Sequence, residues 1–253
     1  MSKVIIGKDE IFYLQKGGGK PPLLFLHGAG GTHRHWGKQI RGLREATLAC
    51  LDLPGHGRSK GEGRQTIEEY ADLVAEFMAA LVLESPTVVG HSMGGAIALD
   101  LALRYGDRLG GLVLVGTGAR LRVMPSLLEG LKGEFESTVD LLCRYAYGPS
   151  ASEEMVRLGR EEILAVGPEV LRGDFLACDR FDVMGRLGEV RLPTLVICGE
   201  EDQLTPPKYS QFLVDHIQGA RLVTIPEAGH MVMLEKPQET TDTMAGFSSV
   251  RPS

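Results

Sequence analysis

Six short runs of mostly aliphatic sequence constrain this chain more than anything else in it. They are Pro22–His27, Thr47–Leu53, Thr87–His91, Leu112–Gly116, Thr194–Gly199 and Arg221–Ile225. In most of them Leu, Val and Ile follow one another without polar alternation, as expected for parallel strands buried on both faces. Helical patterns separate the runs. Thr66–Val82 places apolar residues at Ile67, Tyr70, Val74, Phe77, Met78 and Leu81 behind a Thr66/Glu69 capping box. Another helix begins after Thr205, with Pro206 in its first turn, and runs to Gly219. Upstream, Val4–Ile6 and Ile11–Gln15 flank Gly7-Lys8-Asp9-Glu10 and read as an antiparallel hairpin. The expected fold is α/β: a mostly parallel, doubly wound sheet with an N-terminal antiparallel hairpin.

One segment breaks the rhythm. Between Gly118 and Arg191 there is no β-rich run, only helical patterns such as the stripe Leu127, Leu131, Phe135, Val139, Leu142 and Tyr145. About 70 residues of helix between two strands are too few and too interrupted by Gly for an independent domain. The expectation is a core of residues 1–119 and 190–253, with a helical cap over 120–189 on the C-terminal edge of the sheet.

Composition removes several functional classes. Lys plus Arg is 27 against 33 for Asp plus Glu, so the basic excess of a nucleic-acid binder is missing. The opening MSKVIIGKDEIFYLQ carries charges throughout and has no apolar signal region. The most apolar long stretch, Pro86 to Leu103, contains His91, Ser92 and Asp100 and cannot span a membrane. The four cysteines form no CxxC pair: Cys50 and Cys198 sit in strand-like runs as inert thiols, and Cys143 and Cys178 in helical segments without a motif. A reduced cytoplasmic protein is expected, without a membrane or nucleic-acid partner. No metal cluster or P-loop is present, and Gly28-Ala29-Gly30-Gly31 lacks dinucleotide-binding spacing, so no cofactor is expected. The oligomeric state is not encoded legibly.

The chemistry centres on Gly90-His91-Ser92-Met93-Gly94, a G-x-S-x-G pattern. In a chain with 33 glycines the pattern alone carries little weight. Its context carries more, because Pro86–Val89 is a strand and Ala96–Tyr105 a helix. A serine on such a sharp turn has its hydroxyl pushed out above the sheet. Gly90 and Gly94 are then required because a Cβ at either place would collide across the turn.

With these pieces in hand the chain resembles the α/β-hydrolase family over essentially its whole length. The matching segments, in the family's order, are His27-Gly28-Ala29-Gly30-Gly31 with Trp36 after it, Asp52-Leu53-Pro54-Gly55-His56-Gly57-Arg58-Ser59, the Ser92 turn, Gly199-Glu200-Glu201-Asp202, and Ala228-Gly229-His230. The resemblance implies Ser92 as nucleophile, His230 as base and Asp202 as the carboxylate that orients it, with Glu200 and Glu201 as rivals for the last role. Asp52 and Asp182 have weaker claims. It also implies an oxyanion hole from the backbone N–H groups of Ala29 and Met93. His27, His56 and His91 are read as structural, His91 pointing away within the turn, His216 as lying on the polar side of its helix, and His33 and His35 as flanking Arg34 near the pocket rim, where they could touch substrate although solvent exposure is the commoner outcome.

A serine at position 92 argues against the dehalogenases and epoxide hydrolases, which this family builds with aspartate there. Met231-Val232-Met233 after the histidine, where a tryptophan is missing, disfavours the ring-cleavage C–C hydrolases. The expected activity is a serine hydrolase that cleaves carboxylic esters of small, mainly apolar molecules. Monoacylglycerol lipase, enol-lactonase, thioesterase and perhydrolase chemistry use the same triad, and a non-hydrolytic receptor or cofactor-free lyase is the reading from other classes. The cap segment carries nine basic and thirteen acidic residues, an environment expected to disfavour coenzyme A phosphates.

Overall fold

A computed structural model describes residues 2–17, 22–43 and 46–248. The chain opens with the hairpin β1 (Ser2–Ile6) and β2 (Asp9–Lys16), Ile6 opposite Asp9. β3 (Leu23–Leu26) leads through a 3-10 turn at His33–Trp36 into α1 (Gly37–Gly42), and β4 (Leu48–Leu51) follows. Three more elements alternate as α2 (Ile67–Ala80), β5 (Thr87–His91) and α3 (Met93–Tyr105), before β6 (Gly111–Val115). The insertion comes next, as α4 (Pro125–Gly133), α5 (Phe135–Ala146), α6 (Glu153–Val166) and α7 (Pro168–Arg180). The sheet resumes with β7 (Thr194–Gly199), α8 (Pro207–His216) and β8 (Arg221–Ile225), and the chain ends in α9 (Val232–Glu235) and α10 (Pro237–Ser248).

The eight strands form one sheet in the order β1-β2-β4-β3-β5-β6-β7-β8. β1/β2 and β2/β4 pair antiparallel, and every other pair is parallel. The solid aliphatic runs now have their explanation. Leu24, Leu26, Val88, Leu112 and Leu114 face a core shared with α2 and α3, while Leu23, Phe25, Val89, Val113 and Val115 face a second core with Trp36 and Met244. Neighbouring residues point to opposite faces and both faces are covered, so most positions in the parallel strands take an apolar side chain, and the buried polar ones, Thr87, His91 and Thr194, sit at strand ends.

Helix ends follow local chemistry. Thr66 caps α2, its hydroxyl accepting from the Glu69 N–H at 3.3 Å, as the capping box predicts. α8 starts one residue later than expected, with Pro206 at its N-cap.

The insertion leaves and rejoins the sheet layer through a narrow neck, where Arg120 bridges Asp182 and the Val183 N–H donates to the Ala119 carbonyl at 2.8 Å. Together α4–α7 form a cap with its own apolar cluster, including Leu127, Leu131, Val139, Leu142 and Leu171. The helical pattern from Leu127 to Tyr145 falls on two helices. Gly133 ends α4, Glu134 turns away from helical geometry at φ −135°, and Tyr145 finishes 40% exposed. A periodic pattern continues across such a break because the second helix happens to resume it in phase. Among the described residues no helix is long and apolar enough to cross a membrane.

Candidate active site

Strand β5 runs straight into α3, and the turn between them is Ser92, at φ +52° and ψ −116°. That backbone geometry is costly for a residue with a side chain and persists only where the surroundings enforce it. Here they do. The Ser92 N–H donates to the Val115 carbonyl at 2.9 Å, and Thr117 Oγ1 donates to the Ser92 carbonyl at 2.8 Å. A Cβ on Gly90 would sit inside the Gly94 carbonyl, and one on Gly94 would lie 2.5 Å from the Leu26 carbonyl oxygen. The two glycines are therefore packing requirements of the turn. α3 points its N-terminus at Ser92, which places the positive end of its dipole there.

Asp202 follows β7 and His230 follows β8, so the parallel topology brings both to the same edge as Ser92. His230 Nδ1 lies 2.9 Å from Asp202 Oδ2. Asp202 accepts three further hydrogen bonds, from the Leu204 and Thr205 N–H groups and from Thr205 Oγ1, at 2.8–2.9 Å. Burial works to raise the Asp202 pKa, but His230 and the Thr205 donors outweigh it and hold the carboxyl below its ordinary value. A carboxylate only accepts, so His230 Nδ1 carries a proton, and Nε2 has no partner among the described residues. Glu200 and Glu201 are exposed on the turn. Asp52 is buried elsewhere, accepting from the His33 N–H, His33 Nδ1 and the Arg58 N–H. Asp182 is exposed at the cap's neck.

The loop after β3 comes against this edge. A Cβ on Gly28 would lie 3.1 Å from Ser92 Cβ. Ala29 and Met93, the two expected oxyanion donors, both have backbone N–H groups without a partner among the described residues. The Ser92 hydroxyl likewise makes no hydrogen bond among the described residues.

The remaining histidines are informative. His27 accepts from the Leu53 N–H at Nε2, and burial drives its pKa to about 3, so it is neutral and structural. His91 packs against the site: its Nε2 donates to the His230 carbonyl at 3.0 Å, and the rings lie 4.6 Å apart. Burial keeps His91 well below the usual imidazole range. His216 is exposed as expected. His35 departs from expectation. It is buried and pairs with cap residue Glu162 at 3.4 Å, while His33 is half-buried on Asp52.

Three contributors escaped the sequence reading. Thr205 holds Asp202. Glu235 accepts from the Gly229 N–H at 3.1 Å and the Gly148 N–H at 2.9 Å, tying the His230 loop to the end of α5. Asp174, fully buried in α7, accepts from His56, Tyr70 and the Gly30 N–H. Of these, Glu235 is the one carboxylate in the apolar run Met231–Glu235, the kind of signal that could have been read, whereas Asp174 shares its helix with Glu169 and Asp179 and does not stand out. Beside this edge, a cleft of about 370 Å³ opens between α5 and α6, lined by Cys143, Tyr147, Gly148 and Val156 among others.

Comparison with known proteins identifies the family. The family description "alpha/beta hydrolase fold" matches residues 21–237. A 2-hydroxy-6-oxo-6-phenylhexa-2,4-dienoate hydrolase of Comamonas testosteroni is 29% identical, over 91% of this chain and 88% of its own length. A pimeloyl-acyl-carrier-protein methyl ester esterase of Neisseria meningitidis is 30% identical, over 83% of this chain and 86% of its own. The solved structure of a thermophilic esterase, 39% identical, superposes with a TM-score of 0.87 over 97% of this chain and 96% of that one.

Proposed function

The chain belongs to the α/β-hydrolase fold family, and from that premise we propose that it cleaves carboxylic esters of small, mainly apolar molecules through a Ser92 acyl-enzyme. Hydrolysis of ester bonds is the general activity it shares with its esterase relatives. The acyl-enzyme route rests on one observation above the others: a buried Asp202–His230 pair whose free imidazole nitrogen belongs to the same sheet edge as a serine on a strained turn.

In this reading His230 Nε2 takes the Ser92 proton as Oγ attacks the ester carbonyl carbon. The carbonyl π electrons move to oxygen, and the N–H groups of Ala29 and Met93 hold the resulting oxyanion. Collapse expels the alkoxide, which leaves as the alcohol with the proton from His230. Water then repeats the sequence on the acyl-enzyme, with His230 accepting its proton, and the carboxylic acid departs as Ser92 is restored. Asp202 keeps the imidazole in the tautomer that both halves require.

The acyl group would meet Ile163 and Leu171 of the cap, whose side chains lie against Gly30. The cap's other apolar residues pack largely on one another, which supports a modest pocket. Short- to medium-chain esters are expected to react best. Each methylene that finds contact adds about 0.8 kcal/mol, roughly fourfold in kcat/KM, until the pocket is full.

The test is labelling with a fluorophosphonate followed by an ester panel. Label is expected on Ser92, with Ser92→Ala losing roughly 10⁴-fold or more in kcat while still folding. Label on another residue overturns the assignment. An optimum at very long acyl chains would move the reading to a lipase.

A further inference from the structure

The cap does more than cover the site. Two of its helices each send a carboxylate down onto the loop that follows β3. From α7, Asp174 Oδ2 accepts the Gly30 N–H at 2.9 Å and His56 Nε2 at 2.8 Å, and its Oδ1 accepts the Tyr70 hydroxyl at 2.6 Å. From α6, Glu162 accepts the Thr32 hydroxyl and lies 3.4 Å from His35 Nε2. The loop between these anchors is short and fully specified. The Gly31 N–H closes a turn onto the Gly28 carbonyl at 3.1 Å, and the Gly30 N–H goes to Asp174. Of the three consecutive donors Ala29, Gly30 and Gly31, only the Ala29 N–H has no partner among the described residues. Gly30 itself stands at φ +65°, with Leu171 and Ile163 of the cap where a side chain would be.

We propose that Asp174 is a positioning residue of the oxyanion hole: the cap, through the Asp174–Gly30 hydrogen bond, fixes the orientation of the neighbouring Ala29 N–H. This rests on the serine-hydrolase reading above and adds a part to it. An oxyanion donor works only if it is aimed before the charge appears, since reorienting a loose backbone during the reaction costs what the hydrogen bond returns. A backbone turn with two glycines cannot hold that aim by itself. Asp174 supplies the constraint, being in turn held by His56 and Tyr70, which belong to the core. Glu162 fixes the far end of the same loop at Thr32.

The test compares Asp174→Ala, which removes the acceptor, with Asp174→Asn. The asparagine keeps an oxygen for the Gly30 N–H and its amide donates to the Tyr70 hydroxyl. Steady-state kinetics on a short-chain ester are run beside inhibition by a trifluoromethyl ketone, which forms a tetrahedral adduct with an oxyanion, and by the product carboxylate, which does not. Asp174→Ala is expected to lower kcat by roughly 10- to 100-fold with KM nearly unchanged. The ketone should weaken by the same factor, the product hardly at all, and Asp174→Asn should recover most of the loss. The acid limb of the pH profile should stay in place, because His230 and Asp202 are untouched.

If Asp174→Ala does not fold, Tyr70→Phe takes its place and should show the same signature at several-fold size. Folded variants with kcat and ketone affinity within twofold of the parent overturn the proposal, as does equal weakening of ketone and product. A parent protein that neither hydrolyses esters nor labels at Ser92 defeats the serine-hydrolase reading and this one together. A parent that does both, with variants unaffected, defeats only the role given to Asp174.

Discussion

Two buried histidine–aspartate pairs of nearly equal length stand in this molecule. His230 Nδ1 meets Asp202 at 2.9 Å, and His56 Nε2 meets Asp174 at 2.8 Å. All four residues are at most 4% exposed. The difference is in the second nitrogen of each ring. His56 Nδ1 lies 3.0 Å from the Pro54 carbonyl, so both of its neighbours only accept, and the ring must be doubly protonated to serve them. Its pKa agrees: burial works against the charge, but Asp174 outweighs burial and raises it. His230 Nε2 has no partner among the described residues and can take a proton. A histidine–aspartate pair is thus no signature of catalysis. One pair fastens the cap to the core, the other is open at one end, and on the proposed function the open end makes the difference.

The strongest test of this contrast substitutes the two aspartates in the same way. Asp202→Asn should lower kcat by roughly 10³–10⁴-fold, since an amide at that place favours the wrong imidazole tautomer. Asp174→Asn should stay within about tenfold of the parent, because it retains the shape of the cap contact and acts on catalysis only through positioning. Glu200→Gln and Glu201→Gln, on exposed side chains, should change kcat less than twofold; steady-state rates on a p-nitrophenyl ester measure all four. Equal losses at 202 and 174 would erase the distinction, and a larger loss at Glu201 would move the orienting role there.

The next expected effect is on stability. His56→Gln breaks a buried pair and should cost about 3 kcal/mol near pH 6. For a domain of this size that is a fall in Tm of roughly 6–12 °C. The sign of the pH dependence follows from the raised pKa. A histidine whose folded pKa lies above its unfolded value contributes fully below about 6.5 and loses that contribution as pH rises through the folded value. The gap in Tm between parent and His56→Gln should therefore narrow on the alkaline side. A gap that widens above neutrality would mean that His56 is held as the neutral ring.

Much of the fold was legible because it is written in short-range patterns. The unalternating runs required a sheet covered on both faces, and β3, β5, β6 and β7 occupy them. The Ser92 turn was legible for the same reason, since its glycines, strand and helix are contiguous. Asp202 and His230 stand out by position after their strands, and the structure joins them. What could not be read spans the chain: Asp174 and His56 are 118 residues apart. His35 was hard to place because the residue that holds it, Glu162, comes from the cap far along the chain. The same contacts revise the charge reading of the cap. Two of its thirteen acidic residues, Asp174 and Glu162, face core histidines and not a bound substrate. The field that coenzyme A would meet is weaker than the sequence count implies.

The smallest effect falls on the acid side and belongs to the cap's other anchor. Burial works to raise the Glu162 pKa, yet His35 and the Thr32 hydroxyl outweigh it and bring it to about 2. A carboxyl depressed in the folded state contributes stability above its unfolded pKa, near 4.3, and loses it as pH falls through the folded value. Glu162→Gln keeps the size of the side chain and an acceptor for Thr32, so only the charge term is removed. That term is about 1–2 kcal/mol for a group still partly open to solvent, or roughly 2–8 °C in Tm. The difference from the parent should be present at pH 5 and should close between about 4 and 2, within the range of the two pKa values. The two anchors then have opposite windows, His56 weakening toward alkali and Glu162 toward acid, and the cap is held by both only between them. Thermal melts of parent and variant across pH 2.5–7 measure it. A difference that persists undiminished at pH 2.5 would mean that Glu162 holds the loop through its shape and its hydrogen bond to Thr32, without help from its charge.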